Sequence, residues 1–212
     1  MTQAVNEIRF TTLLHGEHRE GAAALLRLEH LTVKVGIRRV IEDLSLEVFE
    51  GDTVRVSGAN GSGKSTMLNA IAGLDPARIE AGTISLGGED VTSLPPHERS
   101  RRGLAFLRQR ENVFVDLTVD ENLRLAIGPG GPAQFQQSHP TWATGLPGRK
   151  RVGLLSGGQR QRLAWAMTTL RPGRLLLIDE VDAGLSDQPD IPDGRTCILV
   201  SHSADRWAAE AS

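Results

Sequence analysis

The sequence predicts an α/β fold with a parallel sheet flanked by helices, and three observations predict it. Short apolar runs such as Leu175-Leu176-Leu177-Ile178 and Cys197-Ile198-Leu199-Val200 have the length of buried strands. Helical spacing of apolar residues recurs between the strand patterns, around residues 119–127 and 157–170. A glycine-rich turn at residues 58–63 joins a strand pattern to a helix pattern, so strands and helices alternate along the chain.

Taken in order, residues 1–24 mix charged, polar and small types and read as a mobile extension ahead of a single domain spanning residues 25–212. Strands are expected at Leu31-Thr32-Val33, at residues 45–49 and at Thr53-Val54-Arg55-Val56-Ser57. After the glycine-rich turn, Met67, Leu68, Ala70 and Ile71 keep helical spacing until Gly73 offers a C-terminal stop. Further strands are expected at residues 83–86, 104–107, 175–179 and 196–200, and helices at 119–127, 157–170 and 204–209. Residues 128–153 are rich in Gly, Pro, Gln and Ser, show little apolar periodicity and read as a loop or poorly ordered insert.

Composition excludes several classes. With 24 basic and 26 acidic residues the net charge is -2, which creates no field strong enough to gather nucleic acid or anionic lipid. No stretch approaches the roughly 18 apolar residues of a membrane-spanning helix, and the first two dozen residues lack the apolar region of a signal peptide. The single cysteine, Cys197, sits in an apolar run and reads as a packed strand residue, which fits a reducing compartment.

The chemistry starts at Gly58-Ala59-Asn60-Gly61-Ser62-Gly63-Lys64-Ser65-Thr66, a phosphate loop placed after a strand and opening a helix. Its glycines let backbone N–H groups converge on a phosphate chain, and the helix N-terminus adds partial positive charge. Lys64 is positioned for the β- and γ-phosphates and the Ser65 hydroxyl for Mg²⁺, so ATP or GTP is the implied ligand. On this motif alone, kinases, small GTPases and other nucleotide hydrolases all remain open.

Leu155-Ser156-Gly157-Gly158-Gln159 adds a second phosphate-binding helix end, with Ser156 as N-cap and two glycines behind it. At average residue frequencies a specified pentapeptide arises by chance in far fewer than about one chain in a thousand of this length. Downstream, Leu175 to Ile178 runs into Asp179 and Glu180, a pair suited to holding Mg²⁺ and to polarising the attacking water, respectively. Leu199-Val200-Ser201-His202 then sets His202 at another strand end, within reach of a γ-phosphate.

In that order, these motifs resemble the ATP-binding cassette (ABC) transporter ATPases over roughly residues 25–207. The resemblance implies a P-loop NTPase fold with a RecA-like core, a small antiparallel β subdomain and a helical subdomain, here trimmed, at about residues 110–168. It implies that Gln109 is the glutamine that touches Mg²⁺ and relays nucleotide state to a membrane partner. It also implies that two ATPase subunits, identical or different, close head to tail, with each ATP between one phosphate loop and the other subunit's Ser156-Gly157-Gly158-Gln159. The expected function is ATP hydrolysis that powers transmembrane permease subunits from the cytoplasmic, inner face of the membrane, with no nucleic-acid partner. The stretch from Gly88 to Arg99 resembles the ATPases of branched-chain amino acid importers in particular.

Four departures from the family pattern stand out. Val35 occupies the place where the family stacks adenine on an aromatic residue, and the chain has no tyrosine, so stacking is expected to be lost or replaced by aliphatic contact. Val181 and Ser186 stand where a proline and an aspartate are usual, and the short stretch from Asp187 to His202 lacks room for the usual helix. A cassette that binds ATP as a regulatory switch with little turnover is the alternative these departures keep open.

Overall fold

The computed structural model describes residues 2–5, 8–14, 22–108, 112–179 and 195–200. The chain begins with β1 (Thr2–Val5) and β2 (Ile8–Leu14), then forms β3 (Leu26–Val35), β4 (Arg38–Val48), β5 (Thr53–Ser57) and α1 (Lys64–Ala72). It continues through β6 (Ala77–Leu86), β7 (Glu89–Asp90), α2 (Pro96–Arg101), β8 (Leu104–Leu107) and α3 (Val119–Ile127). After α4 (Gly131–Ser138), α5 (Pro140–Thr144) and a single 3-10 turn at Val152–Leu154 come α6 (Gly157–Thr169), β9 (Leu175–Asp179) and β10 (Thr196–Val200).

The main sheet has the order β1-β2-β5-β10-β9-β8. The four strands from β5 to β8 run parallel, as the alternation of strands and helices predicts. Every residue of β9 and β10 is buried, the signature of strands covered on both faces. Their registers align Val56 with Val200, Val200 with Asp179, and Leu107 with Ile178. The carboxyl ends of all four strands therefore finish at one edge, where open α/β sheets place their ligands.

The start of the chain departs from expectation. Instead of a mobile extension, β2 lies antiparallel against β5, with Phe10 opposite Val56 and Arg9 opposite Ser57. Ile8 and Phe10 are 1% and 3% exposed and join the core beneath α1, while Arg9 between them is exposed. Without β2, the flank of β5 would present unpaired backbone groups, and the pairing removes that edge. The period-two signal covers only a few residues among charged neighbours, which is why composition hides it.

A second sheet, β4-β3-β6-β7, is antiparallel and forms the expected small β subdomain. Its buried face shares one core with α1 and the main sheet. α1 ends at Gly73, whose left-handed φ of 73° closes the helix. The 2% exposed Arg99 of α2 then binds that end, donating to the carbonyls of Ala70, Ile71, Thr92 and Leu94 at 2.7, 2.8, 2.8 and 2.9 Å. The C-terminal end of α1 is thus tied down.

Residues 128–153, expected to be a loop, instead carry α4, α5 and the start of the 3-10 turn. Pro132 and Pro140 lie in the first turns of α4 and α5, where the missing N–H costs nothing. Phe135, Trp142 and Leu146 bury their side chains in a second core with α3, α6 and the far face of the main sheet. Arg162 of α6 covers the Trp142 ring, its guanidinium carbon 5.9 Å from the ring centroid. Three large apolar anchors suffice for helices this short, and they leave too few apolar positions to show a period. The helix expected at residues 204–209 lies outside the described residues.

Phe10→Ala should destabilise the fold by about 3 kcal/mol, the cost of emptying a buried aromatic site, read as a lowered midpoint in denaturant unfolding. An unchanged midpoint would contradict the pairing of β2 with β5.

Candidate functional site

The phosphate loop lies between the end of β5 and the first turn of α1. Gly58, Gly61 and Gly63 have φ of 152°, 79° and 104°, a backbone path that side chains with a Cβ disfavour. At Gly63 space is also short, since a Cβ would stand 2.9 Å from Cγ1 of Val40 on β4. The β subdomain thus presses directly on the loop. The first N–H groups of α1 lack intrahelical acceptors and point toward the same space.

Lys64 is 4% exposed, and its ammonium donates to the carbonyls of Gly58 and Ala59 at 2.8 and 2.9 Å. It therefore spans the loop it belongs to, with one of its three donors left over for a phosphate oxygen. Ser65 Oγ donates to Oδ1 of Asp179 at 3.0 Å, joining α1 to the end of β9. Asp179 is 6% exposed. Above these groups opens a cavity of about 660 Å³ lined by Asn60, Gly61, Gly63, Lys64, Ser65 and Thr66 on one side and Val35, Arg38 and Val40 of the β3–β4 hairpin on the other. Sequence patterning leaves Arg38 and Val40 out of the site, because their part in it comes from the packing of one sheet against a distant loop.

The donor set can be tested for Mg²⁺. The Ser65 hydroxyl and the Asp179 carboxylate are adjacent hard oxygen ligands at the foot of the cavity. Among the described residues no cluster of three or more His, Cys, Asp or Glu forms an all-protein cage. One or two protein oxygens beside a phosphate-binding loop is how Mg²⁺ is usually held, with substrate phosphates and water completing its shell. The residues fit the ion.

Ser156 caps α6 as expected. Its hydroxyl accepts from the Gln159 N–H at 3.3 Å, and Gln159 Oε1 accepts from the Ser156 N–H at 3.0 Å, a reciprocal capping box. Gln159 Nε2 also donates to the Gly145 carbonyl at 2.8 Å, linking the cap to the helices that precede it. Leu155 is buried, whereas Ser156 and Gly157 are exposed. A Cβ built on Gly157 would meet nothing within 4 Å. None of Ser156, Gly157, Gly158 or Gln159 lines the cavity over the phosphate loop.

Asn122 of α3 belongs to no motif in the sequence. It is fully buried, accepting from the Phe114 N–H at 2.8 Å and donating to the carbonyls of Phe114 and Thr118 at 3.0 and 2.9 Å. Those bonds hold the segment after β8 against α3, whose own N-terminus carries a Thr118–Glu121 capping box. A buried Asn inside an amphipathic helix is the signal that marks it. Gln109, Glu180, Ser186, Asp187 and His202 lie outside the described residues.

Residues 41–183 match the ABC transporter family. The chain belongs to that family. It is 36% identical over 76% of its length to the probable branched-chain amino acid transport ATP-binding protein LivF of Archaeoglobus fulgidus, covering 70% of that protein. The thiamine import ATP-binding protein ThiQ of Shigella flexneri serotype 5b is 40% identical over 79% of this chain and 78% of its own. The Fe(3+) ions import ATP-binding protein FbpC of Streptomyces coelicolor is 41% identical over 74% of the chain, which spans only 45% of that relative. Among solved structures, an ATP-binding subunit of an ABC transporter superposes with a TM-score of 0.69 at 25% identity, covering 84% of this chain and 79% of that one. This ABC protein is an ATP-binding, ATP-hydrolysing transport subunit. No helix among its described residues is long and apolar enough to cross a membrane.

The contact between Gly63 and Val40 can be checked directly. Gly63→Ala should weaken ATP binding by about tenfold, since the added methyl strains a left-handed position by about 1–3 kcal/mol and strikes Val40. Adding Val40→Ala should recover part of the loss in a calorimetric titration. Wild-type affinity in the single variant would show that the hairpin does not constrain the loop.

Proposed function

We propose that this chain is the ATPase subunit of an ABC importer and that it binds Mg-ATP between its own phosphate loop and Ser156-Gly157-Gly158-Gln159 of a second ATPase subunit. The observation that carries this reading is the one-sided cavity: the phosphate loop and hairpin line it, and the exposed Ser156-Gly157 end of α6 does not. A second subunit placed head to tail supplies the missing wall. Its own exposed glycine cap, with open space at Gly157, allows a phosphate to approach the backbone closely.

In that closed state Lys64 and the loop N–H groups hold the β- and γ-phosphates. Ser65, Asp179 and Gln109 would hold Mg²⁺, which when bound would supply positive charge to offset that of the phosphate oxygens. Glu180 follows Asp179 directly and takes a proton from the water that attacks the γ-phosphorus. The bond to the β-phosphate oxygen breaks, leaving ADP and inorganic phosphate, while His202 donates a hydrogen bond to the γ-phosphate. Closure of the two subunits drives separate transmembrane permease subunits, and hydrolysis resets them, at the inner face of the cell membrane. Similarity to proteins named for branched-chain amino acids, Fe(3+) and thiamine supports an importer whose cargo is selected by the permease rather than by this subunit. A net charge of -2 supports a role without nucleic acid.

Steady-state phosphate release tests the enzyme. Glu180→Gln should lower the rate by at least about a hundredfold, the scale of a lost general base, and the same variant with ATP should sediment as a dimer. Wild-type turnover no faster than the variant's, even with the permease present, would overturn hydrolysis by Glu180, and a strictly monomeric profile across concentrations would overturn the head-to-tail site.

A further inference from the structure

The β3–β4 hairpin ends in a tight turn at Gly36 and Ile37, with Val35 paired opposite Arg38 and Lys34 opposite Arg39. Directly opposed residues of an antiparallel pair project to the same face, and the next pair projects to the other. The two faces are used differently. Lys34 and Arg39 both pair with Glu80 of β6, so their charge is answered within the β subdomain. Val35 and Arg38 are on the opposite face, where with Val40 they line the cavity above the phosphate loop. Arg38 is exposed, and among the described residues no carboxylate pairs with it.

This arrangement fixes what the far end of the cavity can hold. With its phosphates on Gly61, Lys64 and Ser65, a nucleotide would have the hairpin side chains Val35, Arg38 and Val40 as the remaining wall of the same cavity for its ribose and base. The wall there offers two aliphatic side chains and one planar cation, with no aromatic ring among the lining residues. A guanidinium is weakly hydrated, flat and suited to stacking on a π-face, whereas a lone aliphatic wall supplies only contact area.

We propose that Arg38 is the platform for the nucleobase, its guanidinium stacked on the base with Val35 and Val40 packed at the edge. This assignment rests on the reading of the cavity as the ATP site. It replaces the purely aliphatic base contact expected from Val35 alone. Arg38 contributes contact to the base and leaves the phosphates to the loop, so it acts on the affinity of a nucleotide but not of a bare phosphate chain.

The test titrates the purified full chain with ATP and, separately, with inorganic tripolyphosphate, which has no base. Arg38→Ala and Arg38→Lys should each weaken ATP binding by roughly tenfold, the range for loss of one stacking partner. Both should leave tripolyphosphate affinity within about twofold of wild type, because the loop that holds it is untouched. Val35→Tyr in the Arg38→Ala background should restore most of the ATP affinity by supplying another platform on the same face. Equal weakening of ATP and tripolyphosphate, or full retention of ATP affinity in Arg38→Lys, would overturn the proposal by making Arg38 a phosphate contact through charge alone. Unchanged ATP affinity in both variants would overturn it as well. Wild-type protein that binds tripolyphosphate but not ATP would overturn the ATP reading itself, a result separate from any effect of Arg38.

Discussion

The Ser65–Asp179 hydrogen bond is the constraint on which the site depends, because it joins the first turn of α1 to the end of β9. Those two elements are far apart in sequence, and β10 separates β9 from β5, the strand that feeds the phosphate loop. The bond therefore requires three parallel strands to finish level. The register matters because a one-residue slip of β9 would reverse every side chain and turn Asp179 away from Ser65. The helix is fixed from the other end as well, where the Arg99 guanidinium donates to the carbonyls of Ala70 and Ile71.

Around this axis the two flanking units act on the loop in different ways. The β subdomain touches it physically, Val40 against Gly63, and lends it the hairpin wall of the cavity. The helical unit, packed through Phe135, Trp142 and Leu146 into the core it shares with the far face of the main sheet, carries the glycine cap of α6. It is bonded internally from Gln159 to Gly145, and it leaves Ser156 and Gly157 exposed. This firmly capped, outward-facing helix end is the surface that the proposed head-to-tail arrangement would turn toward the nucleotide of a second subunit.

Much of this could be read from the sequence, for a definite reason. The strands at 104–107, 175–179 and 196–200 and the helix at 119–127 appear where periodicity predicts them, because each is bounded by glycine, proline or a polar cap. The phosphate loop is legible because glycines at fixed spacing have a backbone reason to be there. What failed to show depends on distant partners. β2 is recognisable only once β5 needs a neighbour, and α4 and α5 only once Trp142 has Arg162 and the second core to pack against. Arg38 is invisible to any motif, since its relation to Lys64 comes from a hairpin folding over a loop more than twenty residues later.

If the Ser65–Asp179 pair organises the ATP site, affinity for ATP must depend on a divalent cation through these two residues. Titration of ATP into wild type and Asp179→Asn, each with Mg²⁺ and with excess chelator, measures that dependence. Mg²⁺ should tighten binding to wild type by at least about tenfold and change binding to the variant little, as expected when one of the few protein ligands to the ion loses its charge. Equal tightening in both proteins would contradict the account.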